Sequence, residues 1–96
     1  MALEFEWDRE KAIENLRKHG VSFPEASTVF FDPNEVTRHD DEPSTTEDRF
    51  TTVGMSQWQR LLLVVHCERG PRIRIVSARR AEPQERAIYE AAYPHH

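Results

Sequence analysis

The chain is short of several things. It has one cysteine, Cys67, so no internal disulfide can form, and a reducing compartment such as the cytoplasm fits. No apolar run approaches the roughly 20 residues a membrane helix needs. The opening MALEFEWD carries acid early and lacks an apolar core, so it does not read as a secretory leader. No repeat, linker or low-complexity segment interrupts the 96 residues, so a single domain over residues 1–96 is expected. His95 and His96 read as the stub of a purification tag and are set aside. No metal-ligand spacing is present either. Cys67 has only His66 beside it, and neighbours on a strand face opposite ways. Neither a metal nor an organic cofactor is expected. Lysine is scarce too, with only Lys11 and Lys18 against eleven arginines.

What is present is charge, unevenly spread. The net charge is −4, but residues 1–48 hold 13 acids and 5 bases, while residues 49–96 hold 4 acids and 8 bases. The two halves therefore carry −8 and +4, and all eight bases of the second half are arginine. Arginine presents a planar fork that matches phosphate and stacks on bases, whereas lysine offers a point charge. The arginine excess reads either as codon usage in a GC-rich genome or as a sign of nucleic-acid contact. Codon usage does not explain the segregation along the chain.

Periodicity places the elements. LEFEW (3–7) alternates apolar and acidic residues as a half-buried strand does. Asp8 is a good N-cap for REKAIENLRKH, a helix with Ala12, Ile13 and Leu16 expected inward and Gly20 at its end. Ser22 and Glu25 form a capping-box pattern for a second helix, with Phe23, Ala26 and Phe30 on one face and Asp32-Pro33 as the stop. EVTRH (35–39) is a short strand, and the acidic 40–48 a loop. Strands follow at 49–56, 60–68 and 72–78, the second apolar enough to be central and buried on both faces. Pro83 opens a last helix, with Ile88, Ala91 and Ala92 inward. The expected fold is α+β: an antiparallel meander sheet of about 4–5 strands with two N-terminal helices and one C-terminal helix, packed on one face.

RIRIVSARR (72–80) concentrates four arginines in nine residues. Alternation points Ile73 and Ile75 one way and Arg72 and Arg74 the other, with Arg79 and Arg80 at the strand end. An exposed, anion-attracting patch is expected there.

Three segments carry a family resemblance. FEWDREKAIENLRKHGVSFPEASTVFFD, RFTTVGMSQWQRLLLVVHCERG and RIRIVSARRAEPQERAIYE, in that order, resemble the opening, the central hairpin and the closing strand and helix of the BrnT toxins. The likeness covers nearly the whole chain and is loosest at 34–48. It implies a bacterial type II toxin with a RelE-like ribonuclease fold. It also implies neutralisation by a BrnA-like ribbon-helix-helix antitoxin, through which alone the pair would meet operator DNA.

RNA can be cleaved without metal when a base takes the 2′-hydroxyl proton and cations stabilise the phosphorane. Arg72, Arg74, Arg79 and Arg80 offer charge; His19, His39, His66, Glu85 and Tyr89 can move protons. His66 reads either as a core-edge histidine or as a general base on the open sheet face beside Arg74. Arg79 and Glu85 read either as a structural pair anchoring helix to sheet or as a device that positions Arg80 and Tyr89 at the scissile phosphate. Lys18 and His19 favour the helix dipole or extend an RNA surface. Trp58, at a hairpin tip, stacks on a base or caps the sheet end. Two functions remain open: a metal-independent endoribonuclease and a noncatalytic module that binds RNA or an antitoxin. A direct DNA-binding regulator is disfavoured, because the basic charge falls on strands and turns.

Overall fold

A computed structural model describes residues 3–40 and 48–92. The elements are β1 (Glu4–Glu6), α1 (Arg9–His19), α2 (Phe23–Thr28) with a 3-10 turn (Val29–Phe31), β2 (Val36–Asp40), β3 (Arg49–Met55), β4 (Leu61–Arg69), β5 (Arg72–Arg80) and α3 (Pro83–Ala92). They form one five-stranded sheet in the order β1-β5-β4-β3-β2. Strands β2 to β5 make the expected antiparallel meander. β1 departs from it and pairs parallel to β5, Glu4 opposite Arg72 and Glu6 opposite Arg74.

The helices do not share one face. α1 and α2 cover the face carrying Leu62, Val64, Ile75 and Ala78, packed with Val21, Phe23, Ala26 and Val29. α3 covers the other, where Tyr89 meets Val53, Leu61 and Leu63. The reason lies in β4. Its residues Leu61 to Val64 are all buried, and successive residues of a strand face opposite ways, so both faces need cover.

Local chemistry sets the helix ends as expected. Asp8 accepts the Lys11 N–H at 3.2 Å, Ser22 accepts the Glu25 N–H at 3.1 Å, and Gly20 takes φ 70° where a side chain would be strained. The inward faces differ from expectation. Ile13 and Leu16 are 59% and 51% exposed, and Asn15 is buried in their place. α1 packs against β5 beyond the point where β1 stops pairing. There the Asn15 amide donates to the Ala78 carbonyl at 2.8 Å and accepts the Ala78 N–H at 3.1 Å, as a neighbouring strand would. Ala12 packs against the core as expected, while Ile13 and Leu16 face away from this contact. In α3 it is Tyr89 that is buried, with Ile88 partly so and Ala91 and Ala92 exposed.

Glu25 does not complete its capping box. It is 1% exposed, accepting from Arg60 Nε at 2.9 Å and Ser56 Oγ at 2.8 Å, and ties α2 to the β3–β4 turn. Gly54 lets the 3-10 turn approach the sheet, since a Cβ there would meet Val29 Cγ1 at 2.7 Å.

One irregularity governs the last strand. Val65 pairs with Ser77 but His66 pairs with Ile75, so Val76 is an extra residue, a β-bulge. Before the bulge Arg72 and Arg74 face the α3 side. After it Ser77 and Arg79 face that side too, and Ala78 joins Ile75 in the core. Without the extra residue, strict alternation would set Arg79 opposite Arg74.

Candidate functional site

Two cross-strand rows lie beside α3. Arg38, Thr51, Val65 and Ser77 are neighbours across β2, β3, β4 and β5, and so are Val36, Val53, Leu63 and Arg79. Between these rows and α3 is a cleft of about 430 Å³. Its floor is apolar: Val53, Leu63, Val65 and Ile88. Its polar lining is Arg38, Arg79, Glu85 and Gln84, with the Thr51 and Ser77 side chains.

Arg79 meets Glu85 as a two-pronged pair, Nη1 to Oε1 at 2.9 Å and Nη2 to Oε2 at 2.7 Å. Glu85 Oε1 also accepts the Glu82 N–H at 2.8 Å at the start of α3. The Arg79 hydrogen bonds hold the Glu85 carboxyl below the usual carboxylate range, so it is ionised and only accepts. The same pair raises Arg79. Arg38 is exposed and has no ion-pair or hydrogen-bond partner among the described residues. The cleft thus offers one guanidinium without a partner among the described residues, a second one fixed in orientation, and a carboxylate able to take a proton.

The other residues singled out in the sequence are dispersed. Arg72 and Arg74 share the face of Arg79 but stand at the far end of β5. There Arg74 reaches Glu6 at 3.1 Å and Arg72 reaches Glu4 at 3.4 Å, so β1 neutralises them. Arg80 pairs with Leu62 and faces the α1/α2 side, away from the cleft. Trp58 is exposed at the β3–β4 turn and does not line the cleft. Lys18 and His19 line a separate hollow between α1 and β5.

His66 is not on the open face beside Arg74. Arg74 is paired with Cys67, and His66 lies on the α1/α2 side, 3% exposed, edge-on to Phe30 and stacked on Phe50. Burial pushes its pKa down to about 4, so the ring is neutral. Its Nε2 is 2.8 Å from Thr52 Oγ1, which is 2.7 Å from Thr37 Oγ1, and Thr37 reaches Glu35 at 3.1 Å. If Thr37 donates to the carboxylate, each hydroxyl donates onward and Nε2 carries the ring proton. That leaves Nδ1 a bare acceptor, in keeping with its having no hydrogen-bond partner among the described residues. Tyr89 is buried, and its hydroxyl donates to Asp32 Oδ2 at 2.7 Å. It faces Asp32 and not Glu85. Burial raises the Asp32 carboxyl, but the N–H groups of Met55 and Asn34 and the Tyr89 hydroxyl outweigh it, and the net direction is down.

A larger hollow of about 530 Å³ is lined by Thr28, Phe31, Asp32, Met55, Ser56 and Gln57. It presents a carboxylate and no cation, so it suits phosphate less well than the α3 cleft.

Residues 7–85 match the family described as the ribonuclease toxin, BrnT, of type II toxin-antitoxin systems.

The chain belongs to the BrnT toxin family.

The fold agrees. The crystal structure of the Brucella abortus ribonuclease toxin, BrnT, superposes with a TM-score of 0.60 over 84% of this chain and 99% of that one, at 19% identity. No curated protein matches the sequence. As a BrnT-family member the chain is of a ribonuclease-toxin type that works with an antitoxin. Among the described residues no helix is long and apolar enough to cross a membrane.

Arg38, Thr51, Ser77 and Gln84 were not singled out from sequence. Arg38 had a signal: it alternates with Val36, which puts both on one side of β2. The bulge that turns Ser77 and Arg79 onto that side had none.

Proposed function

We propose that this BrnT-family chain is a cytoplasmic endoribonuclease toxin that cuts RNA without metal, in the cleft between α3 and the sheet. The observation that carries this is the Arg79–Glu85 pair sharing an apolar-floored cleft with Arg38, whose side chain has no partner among the described residues. A base lies against the floor, and the scissile phosphate sits between the two guanidinium groups. Glu85 takes the 2′-hydroxyl proton, and the 2′-oxygen bonds to phosphorus. Arg79 and Arg38 stabilise the phosphorane, and the 5′-oxygen leaves with a proton from water at the cleft mouth. The products are a 2′,3′-cyclic phosphate and a 5′-hydroxyl. Of the catalytic residues expected from sequence, Arg79 and Glu85 keep a place in this scheme. His66, Arg74, Arg80 and Tyr89 do not line this cleft and have no part in the scheme.

The test is RNA digestion by purified protein in excess chelator. Wild type should leave cyclic-phosphate ends, and Arg79→Ala and Glu85→Gln should each lose at least 100-fold in rate. RNA left intact by wild type, or cutting by either variant at the wild-type rate, defeats the proposal.

A specific observation favours a second reading. Glu85 is fully engaged by Arg79, and no histidine lines the cleft among the described residues. The cleft then binds RNA or an acidic antitoxin segment and cuts nothing. Tight RNA binding with no cleavage after any partner is removed would favour it. In either reading we propose a small BrnA-like ribbon-helix-helix antitoxin as partner and as the sole link to operator DNA. A gel shift on the promoter should need both proteins.

A further inference from the structure

The α3 cleft does not stop at β5. Ser77 lines it and also lines the hollow of about 170 Å³ between α1 and β5. β1 pairs with β5 only as far as Arg74; beyond it α1 packs against this edge through Asn15 and Ala78, and the hollow lies between α1 and Ser77. The chain has two lysines in all, Lys11 and Lys18, and both lie in this one hollow, exposed, beside His19. Glu14 lines it too. Its carboxylate is turned to Arg17, and that hydrogen bond holds it below its ordinary range. Across Ser77 the surface therefore runs from Arg38 and Arg79 to Lys11 and Lys18.

We propose that a single RNA strand passes over Ser77, from the cleft to the hollow beside α1, with one phosphate in the cleft and a neighbouring pair on Lys11 and Lys18. This rests on the RNA reading above and extends it from one nucleotide to a strand. The residue types fit the division of work. Forked guanidinium groups hold the phosphate whose geometry matters, and flexible lysines follow phosphates that need only be neutralised. Arg38 on β2 lies three strand spacings from Ser77, about 14 Å, a span that a short oligomer bridges. The apolar floor favours RNA over an acidic peptide, since a base has a flat face to lay on it.

The test is binding of 2′-O-methyl oligoribonucleotides, which cannot be cut, by fluorescence anisotropy. The expected result is a hexanucleotide bound at least tenfold more tightly than a dinucleotide. The double variant Lys11→Gln/Lys18→Gln should remove most of that gain, leave the dinucleotide within twofold of wild type, and reduce the salt slope by about 1.4, at roughly 0.7 per phosphate contact. Each single variant should remove part of the gain, and unchanged urea midpoints would show the fold intact. Arg38→Ala should weaken both oligomers. The proposal is overturned if neither oligomer binds, if the hexanucleotide binds no better than the dinucleotide, or if the double variant keeps the gain. A gain with a hexaglutamate peptide and none with RNA would assign the edge to an acidic protein segment and overturn it as well. Because nothing is cut, loss of the catalytic reading leaves this result standing, and the converse holds.

Discussion

Three side chains each lead to an expected outcome, and one of them, Glu85, lines the cleft. Glu85 has a depressed pKa, so it stays ionised until the pH falls below the ordinary carboxylate value of 4.5. If it is the base, the cleavage rate should be level from neutral pH down to that region and fall only beneath it; a drop centred near 6.5 would point to an imidazole instead. For buried His66 the expected outcome is one of stability. Its pKa is lowered from 6.5 to about 4, so the unfolded chain binds the extra proton first. Stability should therefore decline as pH falls from 6.5 to about 4, by about 3 kcal/mol in total at 1.36 kcal/mol per pKa unit. Urea titrations of His66→Gln should lack that component. Asn15 is the third decisive residue. It donates to Val21 and Ala78 and accepts from Ala78, and Asn15→Ala should cost about 2–4 kcal/mol by stranding buried backbone groups. His66 and Asn15 also show what one sequence can reveal. Each was legible as lying on a given face of its element, His66 with Leu62 and Val64, Asn15 with Lys11 and Lys18. Which face meets solvent was not legible, because that depends on the layer packed against it.

Among the elements, β4 was readable in most detail and α1 in least. A run of five apolar residues, Leu61 to Val65, can only be a central strand here, and it is one. The same run already demanded helices on both faces, so the one-faced arrangement contradicted evidence within the sequence itself. α1 misleads because its contact with β5 is polar and thin, which leaves the apolar Ile13 and Leu16 outside. α2 depends on a buried charge. Glu25 is held below its usual range chiefly by the Arg60 hydrogen bond, and Arg60 also reaches the Gly20 carbonyl at 3.1 Å. Arg60→Ala should strand that carboxylate and cost about 3 kcal/mol, measured by chemical denaturation. Replacing both residues with apolar ones should recover much of the loss, and a double variant as unstable as the single would contradict this account.

Across the whole molecule, charge is arranged more finely than a basic half and an acidic half. β1 brings Glu4 and Glu6 from the acidic half onto Arg72 and Arg74, leaving the α3 end of the sheet as the place where guanidinium faces an open cleft. The arginine-rich strand was visible in the sequence; its division by β1 and by the Val76 bulge was not, since both come from long-range pairing. The parallel β1–β5 contact also joins residues 68 apart, as Arg74 and Glu6 are. Pairing so distant carries a larger loop-closure cost than the hairpin contacts of β3 to β5. On a ribosome, β1 has nothing to pair with until β5 has emerged, and Glu85 leaves the exit tunnel later still. A nascent chain halted after the β3–β4 hairpin holds neither Arg79 nor Glu85. A cleft built on this pair therefore cannot form until both β5 and α3 have been made.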